Sequence, residues 1–148
     1  LALLLMNTID QFFRTEDWDL TMAVNLKGVF LCTQAVFGRM CEAGRGYIVT
    51  VSSISGKRGH LNGGAYCASK FGAGGFTETV AAEGRPYGVK AAVVCPGPVN
   101  TKMRWDNHPD DDLEKLTLPE DVADLILFLV TQPPRAHVFE TEIRTPLM

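Results

Sequence analysis

From Trp18 to about Met40, the apolar residues Met22, Leu26, Val29, Phe30, Val36, Phe37 and Met40 recur at the spacing of one helix face. Thr15, followed by Glu16 and Asp17, supplies a start signal: a hydroxyl to cap free backbone N–H groups, then two carboxylates at the positive end of the helix dipole. The pattern predicts a long helix, interrupted near Asn25 and Gly28. "GRGYIVTVSS" then changes period: Ile48 to Val51 is a β-branched run bounded by glycines, a buried strand. "AYCASKFGAGGFTETVAAEG" lacks proline and predicts a second helix, in which Gly72, Gly74 and Gly75 imply a close approach by some neighbour. "VKAAVVC" reads as another short strand, stopped by "PGP". Pro119, Glu120 and Asp121 open a third helix with Val122, Leu125, Ile126 and Leu129 on one face. "HVFETEI" alternates Phe139, Thr141 and Ile143 with Glu140 and Glu142, as an edge strand with one wet face does. Helix and strand alternate three times, which predicts an α/β fold with a parallel sheet and crossover helices.

Composition narrows the function without choosing it. The 148 residues suffice for one core, so residues 1–148 are expected to form a single domain or part of one. Apolar residues at 46% and charged residues at 21% exclude disordered and fibrous classes. A net charge of -3 with scattered Lys and Arg argues against a nucleic-acid partner and leaves small metabolites. Cys32, Cys41, Cys67 and Cys95 fit no CxxC or zinc spacing and read as reduced, mostly buried thiols in a cytoplasmic protein. The opening "LALLLM" is too short to span a membrane and lacks the basic flank of a secretory signal, so no membrane association is expected. Residues 1–14 are atypical, and the Leu at position 1 suggests a missing true N-terminus. His60, His108 and His137 show no metal-ligand spacing.

The chemistry concentrates in "SSISGKRGHLNGGAYCASK". Tyr66 and Lys70 stand at i and i+4, so on a helix both reach one ligand. An adjacent ammonium favours phenolate and brings a phenol toward the working pH range, where it can exchange a proton with a carbonyl or hydroxyl oxygen. Ser53 ends the preceding strand, where α/β sheets gather ligands, and its hydroxyl can hold the same oxygen. Alone, a Tyr-x-x-x-Lys pair is commonly just helix surface, and Ser-Ser at a strand end is ordinary turn chemistry.

Four motifs together carry more. "NLKGVF", "SSISG", "YCASK" and "CPGPVNT", in this order and at these separations, resemble the short-chain dehydrogenase/reductase family from about Thr15 to Arg104, and more loosely to the end of the chain. The resemblance implies a doubly wound, Rossmann-like sheet. It also implies hydride transfer between NAD or NADP and a small carbonyl or alcohol substrate, for example a 3-oxoacyl group on an acyl carrier protein. Tyr66 would be the general acid/base, Lys70 would lower its pKa and bind the nicotinamide ribose, and Ser53 would polarise the substrate carbonyl. Asn25 would hold a water in the proton relay behind Lys70. Pro96, Gly97, Val99 and Thr101 would cradle the nicotinamide, and the region from Met103 to Leu118 would form a substrate lid. The helices carrying Asn25 and Tyr66 would meet a second copy, giving a homo-oligomer.

The sequence departs from the family at its front. No G-x-x-x-G-x-G or G-x-G-x-x-G turn can be assembled from the 14 glycines, and no Asn-Asn-Ala-Gly segment precedes Asn25. The expected fold is therefore a partial Rossmann-like domain without its N-terminal half. Two readings follow: a piece of an oxidoreductase, weakly active or inactive by itself, or a noncatalytic relic serving as a dimerising or interaction module.

Overall fold

A computed structural model describes residues 14–146; all but the last of the residues expected to form the atypical segment 1–14 fall outside that range. One continuous helical run opens it: α1 (Thr15–Met22), a π-helical turn (Ala23–Lys27) and α2 (Gly28–Glu42). Then come β1 (Gly46–Val51), α3 (Gly64–Gly84), β2 (Val89–Pro96), the short α4 (Lys102–Asn107), α5 (Pro119–Val130) and β3 (Glu140–Ile143). The helix starts at the expected cap itself, one residue earlier than a Thr15 cap would allow. Arg14 takes the cap position with no side-chain cap bond, and Thr15 is already in the first turn. The expected interruption is the π turn, centred on Asn25.

The long helix buries a different stripe from the one its apolar period predicts. Thr21, Asn25 and Thr33 are its buried residues, while Phe30 and Val36 stand 40% and 39% exposed. The apolar residues lie to either side of the polar stripe: Val29, Val36 and Met40 line a cleft beside β1, and Leu26 and Phe30 line a hollow against Phe76 of α3. By length and composition this run, mean hydropathy 1.4, is able to cross a membrane. Its polar stripe nevertheless faces protein, with the Asn25 amide donating to Ser69 Oγ on α3 at 3.2 Å.

The three strands are parallel in the order β1-β2-β3, with Val51 opposite Val94 and Val93 opposite Glu140. β2 is central, and except for half-buried Lys90 its residues are buried, as expected for a strand covered on both faces. Ala92 and Val94 pack with Val122 and Leu129 of α5; on the opposite face Ala91 packs with Val80 and Ala81 of α3. The chain steps across the sheet in one direction, yet α3 and α5 cover opposite faces. The two crossovers therefore have opposite hands, and one departs from the right-handed rule. β3 is shorter than the alternation suggests, beginning at Glu140, with Thr141 and Ile143 turned inward. Just before it, His137 Nε2 donates to the Ala91 carbonyl at 2.7 Å.

Two packing expectations need correction. Of Gly72, Gly74 and Gly75 in α3, only Gly72 meets a neighbour: an added Cβ would lie 2.9 Å from Leu26, whereas Gly74 and Gly75 have nothing within 4 Å. Cys67 and Cys95 are buried, but Cys32 is exposed and Cys41 half-buried. Cys32 sits on α2, where Thr33 is the only buried residue.

Candidate active site

The carboxyl ends of β1 and β2 open into a cleft of about 1240 Å³ that also reaches α2, α3 and α4. Its floor is tied to α3 through Ser52. The Ser52 N–H extends the ladder to the Val94 carbonyl at 2.8 Å, and its hydroxyl donates to the Lys70 carbonyl at 3.1 Å. Gly56 makes this approach possible, because a Cβ there would come within 2.6 Å of Ser52 Oγ and 2.9 Å of the Lys70 carbonyl oxygen. The chain then turns through a 3₁₀ segment (Ile54–Gly56), where Ser53 Oγ accepts from the Ser55 N–H at 3.1 Å.

Tyr66 and Lys70 share the buried face of α3, 6% and 5% exposed. The Lys70 ammonium lies 5.6 Å from the Tyr66 ring centroid and donates to the Val51 carbonyl at 3.1 Å. Burial disfavours charge on both groups. It pushes the Lys70 ammonium down to about 8, opposed by the neighbouring Cys95 thiol. It raises the Tyr66 phenol above its ordinary value, opposed by a hydrogen bond with the Ser53 side chain. Burial governs Tyr66, and Ser53 is the group that counters it.

The structure brings the remaining residues of the expected set into the same cleft. Asn25 reaches α3 through Ser69, whose hydroxyl donates to the Tyr66 carbonyl at 2.7 Å. Beyond β2, the Gly97 N–H donates to the Ile143 carbonyl at 2.8 Å, fixing the loop against β3. Pro96, Gly97, Val99 and Thr101 all line the cleft. The Thr101 hydroxyl is held by its own loop, accepting from the Arg104 N–H at 3.4 Å and donating to the Val99 carbonyl at 3.3 Å. In the expected lid region, Met103, Arg104 and His108 face the cleft, while Trp105 points outward and donates to Asn100 Oδ1 at 2.7 Å.

Residues 5–112 match the family model described as short chain dehydrogenase. The chain belongs to that family. Among its relatives, a 3-oxoacyl-[acyl-carrier-protein] reductase from Synechocystis is 38% identical over 84% of this chain and 53% of that protein. A (3R)-3-hydroxyacyl-CoA dehydrogenase from Mus musculus is 40% identical over 79% of this chain and 49% of its own length. The chain thus spans about half the length of the curated relatives it matches. Among solved structures, a metagenomic short-chain oxidoreductase in complex with NADP superposes with a TM-score of 0.80 at 30% identity, covering 99% of this chain and 60% of that one. An alcohol dehydrogenase from Thermococcus sibiricus gives 0.86 at 23% identity, over 100% and 61%, a likeness of fold. The parallel, two-faced sheet is accordingly a portion of a Rossmann-like fold.

Within this family framework, Ser52, Gly56 and Ser69 position the site and were not singled out from the sequence. Ser52 had a signal, being half of a hydroxyl pair at a strand end. Gly56 and Ser69 had none, since a close contact between a loop and a later helix leaves no local period.

Proposed function

We propose that this chain carries the proton-handling half of an NAD(P)-dependent oxidoreductase that interconverts a carbonyl and an alcohol. The observation supporting this is that Ser53 and the buried Tyr66 line one cleft, where the Ser53 side chain favours the phenolate and the Lys70 ammonium lies 5.6 Å from the ring centroid. A substrate oxygen between the Ser53 and Tyr66 hydroxyls accepts a hydrogen bond from Ser53 and, in the reducing direction, the phenolic proton from Tyr66. General acid catalysis of this kind is worth roughly 10²- to 10⁴-fold. Ser55 fixes the Ser53 oxygen from behind, and Asn25 with Ser69 holds the α3 turn that carries Tyr66. Val29, Val49, Val51 and Val99 give the cleft apolar flanks.

The described residues suit one end of a nicotinamide cofactor. Lys70 is a buried cation aimed at the end of β1, suited to ribose hydroxyls, and the loop Pro96, Gly97, Val99 and Thr101 forms the facing wall for the nicotinamide ring. No Gly-rich turn for its pyrophosphate occurs in this sequence. When bound, the cofactor would supply the hydride as NADH or NADPH, or accept it as oxidised NAD or NADP, and the protein moves only the proton. The relatives' names favour a 3-oxoacyl or 3-hydroxyacyl thioester among possible substrates.

A second reading is supported by the outer faces of the two long helices. Met22, Leu26, Phe30 and Phe76 surround an apolar hollow, and Leu31 and Phe71 stand 49% and 46% exposed. Such a surface suits a second copy of the chain, as an oligomeric enzyme or as a dimerising module without catalysis.

Titration of the chain with NADH and with NADPH, read by nicotinamide fluorescence, separates the readings. Binding of one, with turnover lost but binding kept in Tyr66→Phe, is the expected result. No binding at millimolar cofactor rules out catalysis by this chain, and turnover retained in Tyr66→Phe overturns the role of Tyr66.

A further inference from the structure

The chain carries 14 Lys and Arg against 17 Asp and Glu, yet its cleft has the opposite sign. Arg58, Lys70, Arg104, His60 and His108 line it, and among the described residues no aspartate or glutamate does. These groups divide into two sets. Lys70 lies at the end of β1. The others flank the mouth, Arg58 and His60 on the loop after Ser53, Arg104 and His108 on α4 and just beyond it.

The loop set is connected to the reacting centre. His60 Nδ1 donates to the Leu61 carbonyl at 3.0 Å, which leaves Nε2 to accept from Ser55 Oγ at 3.1 Å. The Ser55 N–H in turn donates to Ser53 Oγ. Two hydrogen bonds thus separate the imidazole from the hydroxyl that meets the substrate oxygen. Gly63 leaves room for the ring, since a Cβ there would fall 2.2 Å from His60 Cε1. Across the mouth, Arg104 is paired with Asp111 at 2.5 Å. His108 is held below its ordinary value by burial first, then by the positive charge of Arg104, with Asp111 opposing. Arg58 is exposed and makes no ion pair among the described residues.

We propose that the carbonyl substrate of this site bears an anionic group, a carboxylate or phosphate, received at the cleft mouth by the Arg58 guanidinium. The inference rests on the oxidoreductase reading and narrows its substrate. Arg58 offers a planar fork that matches either oxyanion, and the described lining residues add no carboxylate, the nearby Asp111 being paired with Arg104. Hydroxyl-bearing neutral ketones gain nothing from such a rim.

The test is a binding titration that does not need turnover. The ring signals of His60 and His108 are followed by NMR as acetoacetate, acetoacetyl-CoA or neutral methyl acetoacetate is added to the full chain. An anion is expected to bind about tenfold more tightly than the ester, the preference weakening with added salt and disappearing in Arg58→Gln but not in Arg85→Gln. Preference for acetoacetate assigns the carboxylate of a free oxo acid; preference for acetoacetyl-CoA alone assigns carrier phosphates. Equal affinity for all three, no binding of either anion, or a preference intact in Arg58→Gln overturns the proposal. Anion preference without any response to NADH or NADPH would instead sink the hydride-transfer reading and leave the anion site standing.

Discussion

The Lys70 ammonium donates a hydrogen bond to the Val51 carbonyl oxygen at 3.1 Å, joining a buried cation on α3 to the last residue of β1. Its charge is held out of water by the cleft wall, and the contact compensates for only part of the lost hydration.

A stability profile follows from that burial. Lys70 falls from an ordinary 10.5 to about 8 in the fold, so between those values the unfolded chain binds a proton that the folded chain has released. Stability from this group therefore rises with pH from about 8 to 10.5, and below 8 the fold bears a penalty of roughly 3 kcal/mol. Lys70→Met loses the bond to Val51, worth about 1 kcal/mol. The variant is expected to be more stable than the parent chain at pH 7 and less stable at pH 10.5, measured by urea denaturation. An unchanged difference at the two pH values would refute the assignment.

Ser53 acts on the same site with opposite sign. Its hydrogen bond favours the Tyr66 phenolate against the pull of burial, so Ser53→Ala leaves burial unopposed. Tyr66 is expected to titrate at higher pH in the variant, followed by the ring-carbon NMR signal. A titration moved downward, or not moved, would show that the hydroxyl does not support the phenolate.

Gly56 and Gly74 look alike in composition and differ in space. A methyl at Gly56 strikes Ser52 and the Lys70 carbonyl, and Gly56→Ala is expected to cost about 1–3 kcal/mol and to loosen the Ser53 turn in hydrogen exchange. A methyl at Gly74, inside α3, meets nothing within 4 Å, so Gly74→Ala is expected to gain about 0.5–1 kcal/mol from helix propensity. Equal effects at the two positions would contradict the packing described.

The α5 face supplies a further contrast. Leu129 is fully buried against β2, and Leu129→Ala is expected to cost about 2–5 kcal/mol by thermal or urea denaturation. Leu127, two residues earlier, is 58% exposed, and its replacement is expected to change stability by less than about 0.5 kcal/mol.

The alternation of periods along the chain was enough to place β1, β2 and the helices between them, because a strand buried on both faces and an amphipathic helix write different local patterns. The order of "SSISG" and "YCASK" also put Ser53 at a strand end and Tyr66 with Lys70 one helical turn apart. Local pattern was weakest where burial depended on partners distant in sequence. The long helix shows an apolar stripe, yet the tertiary contacts bury Thr21, Asn25 and Thr33, since α3 offers Ser69 as a polar partner there.

The sequence by itself determined the element order, the parallel sheet and the identity of the chemical groups, all of which depend on residues a few positions apart. Tertiary structure alone decided that burial raises Tyr66 with Ser53 opposing it, that Gly56 allows the close approach of Ser52 to the Lys70 carbonyl, and that five basic side chains share one cleft with no acid among its described lining residues. Those properties depend on desolvation and on Coulomb interactions through space, which residue order encodes only after the chain has folded.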